Sequence, residues 1–244
     1  MTALGAEEIR TRVESDFNRI VDVLNQKIAL QSISAKGITA DHMKRSAQFV
    51  ADLLREVGVD TKVGQSHNPD GTPGAWEVIG SKNVSEDAPT VLLYAPPDVP
   101  PVPDPSVWNT DPFVGTEIGT RLYGRGAADD GGGIAIHSGA LKALGDDLKV
   151  NIKLFKEGEE EMGSPSFSAF IVEHRDEFAS DVIIVADSGN WSAEIPSLTT
   201  SLRGNTDIDV HVKAMEHPVH SGQYGGPILD ANTLAAMLIS SMYD

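Results

Sequence analysis

The stretch Val150–Ser164, VNIKLFKEGEEEMGS, runs from an apolar segment straight into a crowd of carboxylates. Val150–Phe155 reads as a strand, and Glu157, Glu159, Glu160 and Glu161 follow within five positions. Four carboxylates that close repel one another unless water, cations or a metal offset them. Two readings are open at this point. An acidic run is commonly a solvated loop; the other reading is a functional cluster. Position argues for the second, because open α/β sheets build their sites at the carboxyl ends of strands.

Outward from this stretch, strands and helices alternate. Ala6 to Gln31 places Val13, Phe17, Ile20, Val21, Leu24 and Ile28 on one helical face, and Thr39–Val57 repeats the pattern up to Gly58. Short β-like runs follow at Val59–Val63, Trp76–Ile79 and Val91–Tyr94. Gly132–Leu144 reads as a helix, Ser164–His174 as another, and Val182–Ala186 as a strand. The expectation is an α/β fold whose mostly parallel sheet is flanked by helices.

After Asn190 the texture changes. Thr206–Lys213, TDIDVHVK, alternates with period two and predicts a strand with one wet face. Asp230–Met242 predicts an amphipathic helix. These features place a domain boundary near Leu198, with residues 1–197 as one domain and 198–244 as the start of a smaller α+β one. About 45 residues are too few for a core of their own, so a longer chain is expected.

A net charge of −17 speaks against nucleic acid and anionic membrane as partners. There is no cysteine, so a metal site must use histidine and carboxylates. MTALGAEEIR lacks the basic and apolar regions of a signal peptide, and no apolar run approaches a membrane span. The expectation is a soluble, cytoplasmic protein.

Three acidic positions close strands: Asp98 after VLLY, Glu159–Glu161 after NIKLF, and Asp187 after DVIIVA. Asp129–Asp130 sits in GRGAADDGGG, between a turn and a helix. Carboxylates gathered there without matching Arg or Lys favour a divalent cation. A mixed Asp/Glu/His set suits zinc, manganese or cobalt; an all-oxygen set suits magnesium or calcium. The glycine-rich segment lacks the Lys-Ser/Thr ending of a phosphate loop.

Six ordered motifs carry a resemblance: LLYAPPDVPP, WNTDPF, LYGRGAADD, EGEEEMGS, VADSGNW and HSGQYGG. In order and spacing the chain resembles the di-zinc metallopeptidases, which include carnosinase-type dipeptidases, succinyl-diaminopimelate desuccinylase, aminoacylases and carboxypeptidase G. EGEEEMGS and DSGNW look most like the dipeptidase branch. The resemblance implies a hydrolase that cuts the amide of a dipeptide or N-acyl amino acid with two divalent metal ions, zinc first and manganese or cobalt as alternatives. It implies Asp129 as the ligand bridging both metals, Glu161 and Asp187 as ligands of one each, and Glu160 as general base. His220 matches a lid-domain histidine that reaches a neighbouring active site in a homodimer and steadies the oxyanion.

The chain also departs from that pattern. The family's Gly-His-x-Asp is Ala95-Pro96-Pro97-Asp98 here, so a metal-ligating histidine is replaced by a residue without a donor. Asp98 matches the aspartate that orients this histidine. Gly131 stands where the family commonly has lysine, and a second ligand histidine falls beyond residue 244. Two carboxylates per metal make a weak zinc site. His211 and His217 are candidate substitutes, while His137, His42, Trp108 and Phe113 read as packing or surface residues. The expectation is impaired activity in these 244 residues. The alternative is a non-catalytic binding protein on the same fold.

Overall fold

In the computed structural model, which describes residues 4–192 and 194–243, the chain divides into two compact units, Met1–Ser197 and Leu198–Asp244. The first unit opens with two amphipathic helices. Helix α1, Ala6–Ala29, buries Val23, Lys27 and Ile28, and α2, Asp41–Glu56, buries Met43, Ala47, Val50 and Leu54. Spacing by three and four keeps these side chains on single faces. Helix α2 stops at Gly58, whose φ of +83° lies in the left-handed region open to glycine.

Strands β1, Asp60–His67, and β2, Pro73–Lys82, form an antiparallel hairpin around Asn68–Thr72. Strand β3, Thr90–Tyr94, follows. Next come a separate two-stranded ribbon, β4 (Thr116–Ile118) with β5 (Arg121–Tyr123), and helix α3, Gly131–Leu144. Strand β6 spans Asn151–Lys156, α4 Phe167–Glu173, α5 Arg175–Phe178 and β7 Val182–Val185.

The main sheet has the order β1-β2-β6-β3-β7. Its β6-β3-β7 part is parallel, as the alternation of strands and helices implies, and the β1–β2 hairpin joins β6 antiparallel. Successive residues of a strand point to opposite faces. Leu93 and Leu154 therefore join Val50, Leu54, Val78 and Ile134 on the α1–α3 side, while Leu92 and Phe155 meet Ile79, Phe170 and Phe178 on the other. No helix among the described residues is long and apolar enough to cross a membrane.

The helix expected at Ser164–His174 starts only at Phe167, because the chain before it is tied down: Ser166 gives its backbone N–H to Glu159 at 2.6 Å. In the second unit, α6 spans Ser221–Tyr224 and α7 Ala231–Ser240. Asp230 caps α7 by accepting the N–H groups of Asn232 and Thr233, each at 3.0 Å. The strand expected at Thr206–Lys213 is not formed; that segment is irregular and largely exposed. A strand needs a neighbour to take its N–H and C=O groups, and no described strand in this unit supplies one.

Candidate active site

Three parallel strands end side by side, and each passes into a loop that carries a carboxylate. Beyond β3 lies Asp98, only 1% exposed. Its two oxygens accept the N–H of Glu160 at 3.2 Å and of Glu161 at 3.1 Å. Burial pushes the Asp98 carboxyl up, and these amides pull it back. Asp98 therefore holds the backbone of two further acidic residues in place.

Beyond β6 the acidic run splits in two. Gly158 passes so close to β2 that a Cβ would collide with the carbonyl of Trp76, and its N–H is donated to Glu77 at 3.0 Å. On either side of it, Glu157 and Glu159 turn inward. Glu157 accepts the Tyr94 hydroxyl at 2.7 Å, and Glu159 accepts both the N–H and the hydroxyl of Ser166, at 2.6 and 2.5 Å. Glu160 and Glu161 stay half-buried. Among the described residues neither carboxylate is paired with a lysine or arginine.

Beyond β7 lies Asp187, and Asp129 stands exposed just before α3. The Asp129–Asp130 peptide is cis, and Asp130 caps α3 by accepting the Gly133 N–H at 2.9 Å. The charges act on one another across these loops. Burial and then Asp187, Asp98 and Asp129 raise Glu160. Burial followed by Asp129, Asp98, Glu160 and Asp187 lifts Glu161 to about 7. Burial and Asp129 raise Asp187. Asp129 and Asp187 also line a cleft of 580 Å³ with Gly132, Gly133 and Asn190.

Asp98, Asp129, Glu160, Glu161 and Asp187 thus converge within the first unit. His220 belongs to the second, where it precedes α6 and its Nδ1 accepts the Gly222 N–H at 3.1 Å. His211 and His217 lie in the second unit as well. The gathered carboxylates fit a divalent cation in charge and donor type: an all-oxygen set suits hard ions, and the imidazole that zinc favours is absent from the Pro96 loop. Among the described residues no three His, Asp or Glu side chains are placed to share one ion. The arrangement offers charge and oxygen donors and leaves the coordination shell open.

The sequence reading passed over two lysines and one histidine. Lys27 and Lys156 are buried, and His137, taken as a packing or surface residue, sits 2.7 Å from the Lys156 Nζ through its Nδ1. The signal was present in the periodicity. Lys27 falls on the α1 stripe between Leu24 and Ile28, and Lys156 continues the inward alternation of Ile152 and Leu154.

The sequence profile described as Peptidase family M20/M25/M40 matches residues 92–231, a span holding all five converging acids and His220. The chain is similar to a cysteinylglycine-S-conjugate dipeptidase of Corynebacterium striatum, with 37% identity over 93% of this chain and 49% of that protein. It is 32% identical to a Beta-Ala-His dipeptidase of Mus musculus over 96% of this chain and 51% of the other. It thus spans about half the length of the curated relatives it matches. Among solved structures, human carnosine dipeptidase 1 superposes with a TM-score of 0.68 at 28% identity, covering 76% of this chain and 41% of that one. The M20 family metallo-carboxypeptidase Sso-CP2 of Sulfolobus solfataricus gives 0.60 at 28% identity, covering 72% and 38%. The profile covers more than half of the chain: the chain belongs to peptidase family M20/M25/M40.

Proposed function

We propose that this chain carries the metal-binding half of a hydrolase that cleaves dipeptides or N-acyl amino acids, using two divalent ions, zinc first and manganese or cobalt as alternatives. One observation carries the reading: four carboxylates just beyond the ends of three parallel strands, Asp98, Glu160, Glu161 and Asp187, act on one another and on Asp129 before α3, none of the five ion-paired to a lysine or arginine among the described residues. The dipeptidase names of the relatives support the substrate class.

When bound, the metal ions would supply Lewis-acid activation of water and of the amide carbonyl. Asp129 is assigned as the shared ligand, with Glu161 on one side and Asp187 on the other. Glu160 is the general base; its raised carboxyl affinity for protons suits it to take one from the attacking water and deliver it to the leaving amine. Asp98 positions Glu160 and Glu161 through their N–H groups. His220 is assigned to steady the oxyanion across a homodimer.

Metal content by mass spectrometry, paired with dipeptide hydrolysis in added zinc or manganese, tests the assignment on the unchanged chain and on Pro96→His. The unchanged chain is expected to turn over little substrate, and P96H to hold metal more tightly. Two tightly held ions with turnover in the unchanged chain would overturn the impairment by Pro96. Absence of metal binding in both would sink the reading.

Pro96 and the open coordination shell favour a second reading, a binding protein without catalysis. Calorimetry with dipeptides under metal-free conditions separates the two: binding without hydrolysis supports the second.

A further inference from the structure

Asp98 anchors the N–H groups of Glu160 and Glu161, yet it follows a segment poor in anchors of its own. Pro96 and Pro97 have no backbone N–H, so the chain there can be tied down only through its carbonyls. The end of α1 supplies the donors. Lys27, 3% exposed, donates from Nζ to the Pro97 carbonyl at 2.5 Å and to the Ser32 hydroxyl at 2.6 Å. Ser32, 1% exposed, donates its hydroxyl to the same carbonyl at 2.7 Å. These bonds close a ring in which Lys27 gives two protons, Ser32 gives one and the carbonyl accepts on both lone pairs.

The other side of Asp98 is held as well. The Val99 N–H is donated to the Ser32 carbonyl at 2.9 Å, and Val99 forms a parallel β-bridge with Ile33. The Lys27 stem is steered along Gly131, where a Cβ would stand 3.3 Å from the Lys27 Cγ; the bare glycine leaves it room. A side chain can place its partners only as well as its own backbone is placed. With Pro97 and Val99 both fixed, the Asp98 carboxylate reaches Glu160 and Glu161 at 3.2 and 3.1 Å.

We propose that Lys27 and Ser32 are positioning residues: by clasping the chain on both sides of Asp98, they set the carboxylate that orients the backbone of Glu160 and Glu161. The proposal rests on the roles given to those two glutamates above. It extends the site to α1, a helix that contributes no acid to the crevice.

Amide hydrogen exchange, resolved by residue in the unchanged chain, Lys27→Met and Ser32→Ala, tests this without metal or substrate. Two amides of the same loop serve as controls because other carboxylates hold them: Gly158 on Glu77 at 3.0 Å and Ser166 on Glu159 at 2.6 Å. In K27M the Glu160 and Glu161 amides are expected to exchange about tenfold faster, the protection of roughly one hydrogen bond, with Gly158 and Ser166 unchanged. S32A should act in the same direction and more weakly, since Lys27 still reaches the carbonyl; it decides alone if K27M does not fold. Glu160 and Glu161 amides that keep their rates overturn the proposal. So do four amides that speed up alike, which would make the clasp a support of the whole fold. Either outcome leaves the hydrolase reading standing, because that reading falls only on the metal and turnover assays.

Discussion

The two sides of the main sheet both bury carboxylates, and they neutralise them by different means. On the α4 side, Glu77, Glu157 and Glu159 are at most 2% exposed and are met by hydrogen-bond donors: the Gly158 N–H, the Tyr94 hydroxyl and Ser166. Burial and mutual repulsion raise Glu77 well above the usual carboxylate range and lift Glu157 too, which favours their neutral forms. On the α1–α3 side, Asp98 and Asp130 accept backbone N–H groups, those of Glu160, Glu161 and Gly133, and have buried lysines, Lys27 and Lys156, on the same side; burial raises Asp130 to about 8. Glu77, Glu157 and Glu159 meet donors of the fold on one oxygen each, with the second oxygen of Glu157 and of Glu159 buried without a partner, and form a closed structural set.

The comparison breaks most readily at Glu159. Glu159→Ala strands the Ser166 N–H, leaves its hydroxyl with Ser66 alone, opens a buried cavity and should cost about 3 kcal/mol in urea unfolding. A loss below about 1 kcal/mol would show that this set is not closed. The lysine side is expected to respond to pH. A lysine lowered from 10.5 to about 8 in the folded chain releases its proton while the unfolded chain still holds one. Metal-free stability should therefore rise between pH 8 and 10, and K27M should flatten that rise by up to about 2 kcal/mol. Urea midpoints across the range measure it; an unchanged slope in K27M would mean that Lys27 is not desolvated.

A smaller effect is expected from Tyr94→Phe, which leaves the second Glu157 oxygen unpaired beside one that already is, at about 1 kcal/mol. Thermal melts suffice to detect it. Smallest of all, Glu160→Gln should change stability by no more than about 0.5 kcal/mol, since this carboxylate is half-exposed and repelled by its neighbours. A marked destabilisation in the melt would move Glu160 into the structural set.

Much of the first unit was legible because its signals are local. The apolar stripes of α1 and α2 and the runs that became β3, β6 and β7 each fix their own element within a few residues. The position of Asp98, Glu160, Glu161 and Asp187 just beyond β3, β6 and β7 was legible through one rule, that strand ends share an edge; Asp129, before α3, falls outside it. What escaped depends on partners. Thr206–Lys213 has the alternation of a strand and no neighbour to pair with. Glu157 and Glu160 look alike in sequence, and only Tyr94 and Asp98, more than sixty residues upstream, tell them apart. Lys27 and Lys156 lay on inward-facing stripes, but a lysine there is read as an interruption until its acidic counterpart is seen.

Gly158 sits between the structural glutamates and the open ones, with the Trp76 carbonyl where a side chain would begin. In terms of sequence tolerance, this makes position 158 the narrowest in the acidic run. A library randomised at 157–162 and selected for folded protein should return nearly pure glycine at 158, while Met162, about half exposed, drifts freely. One missing methyl group thus limits how an otherwise mutable acidic loop can evolve.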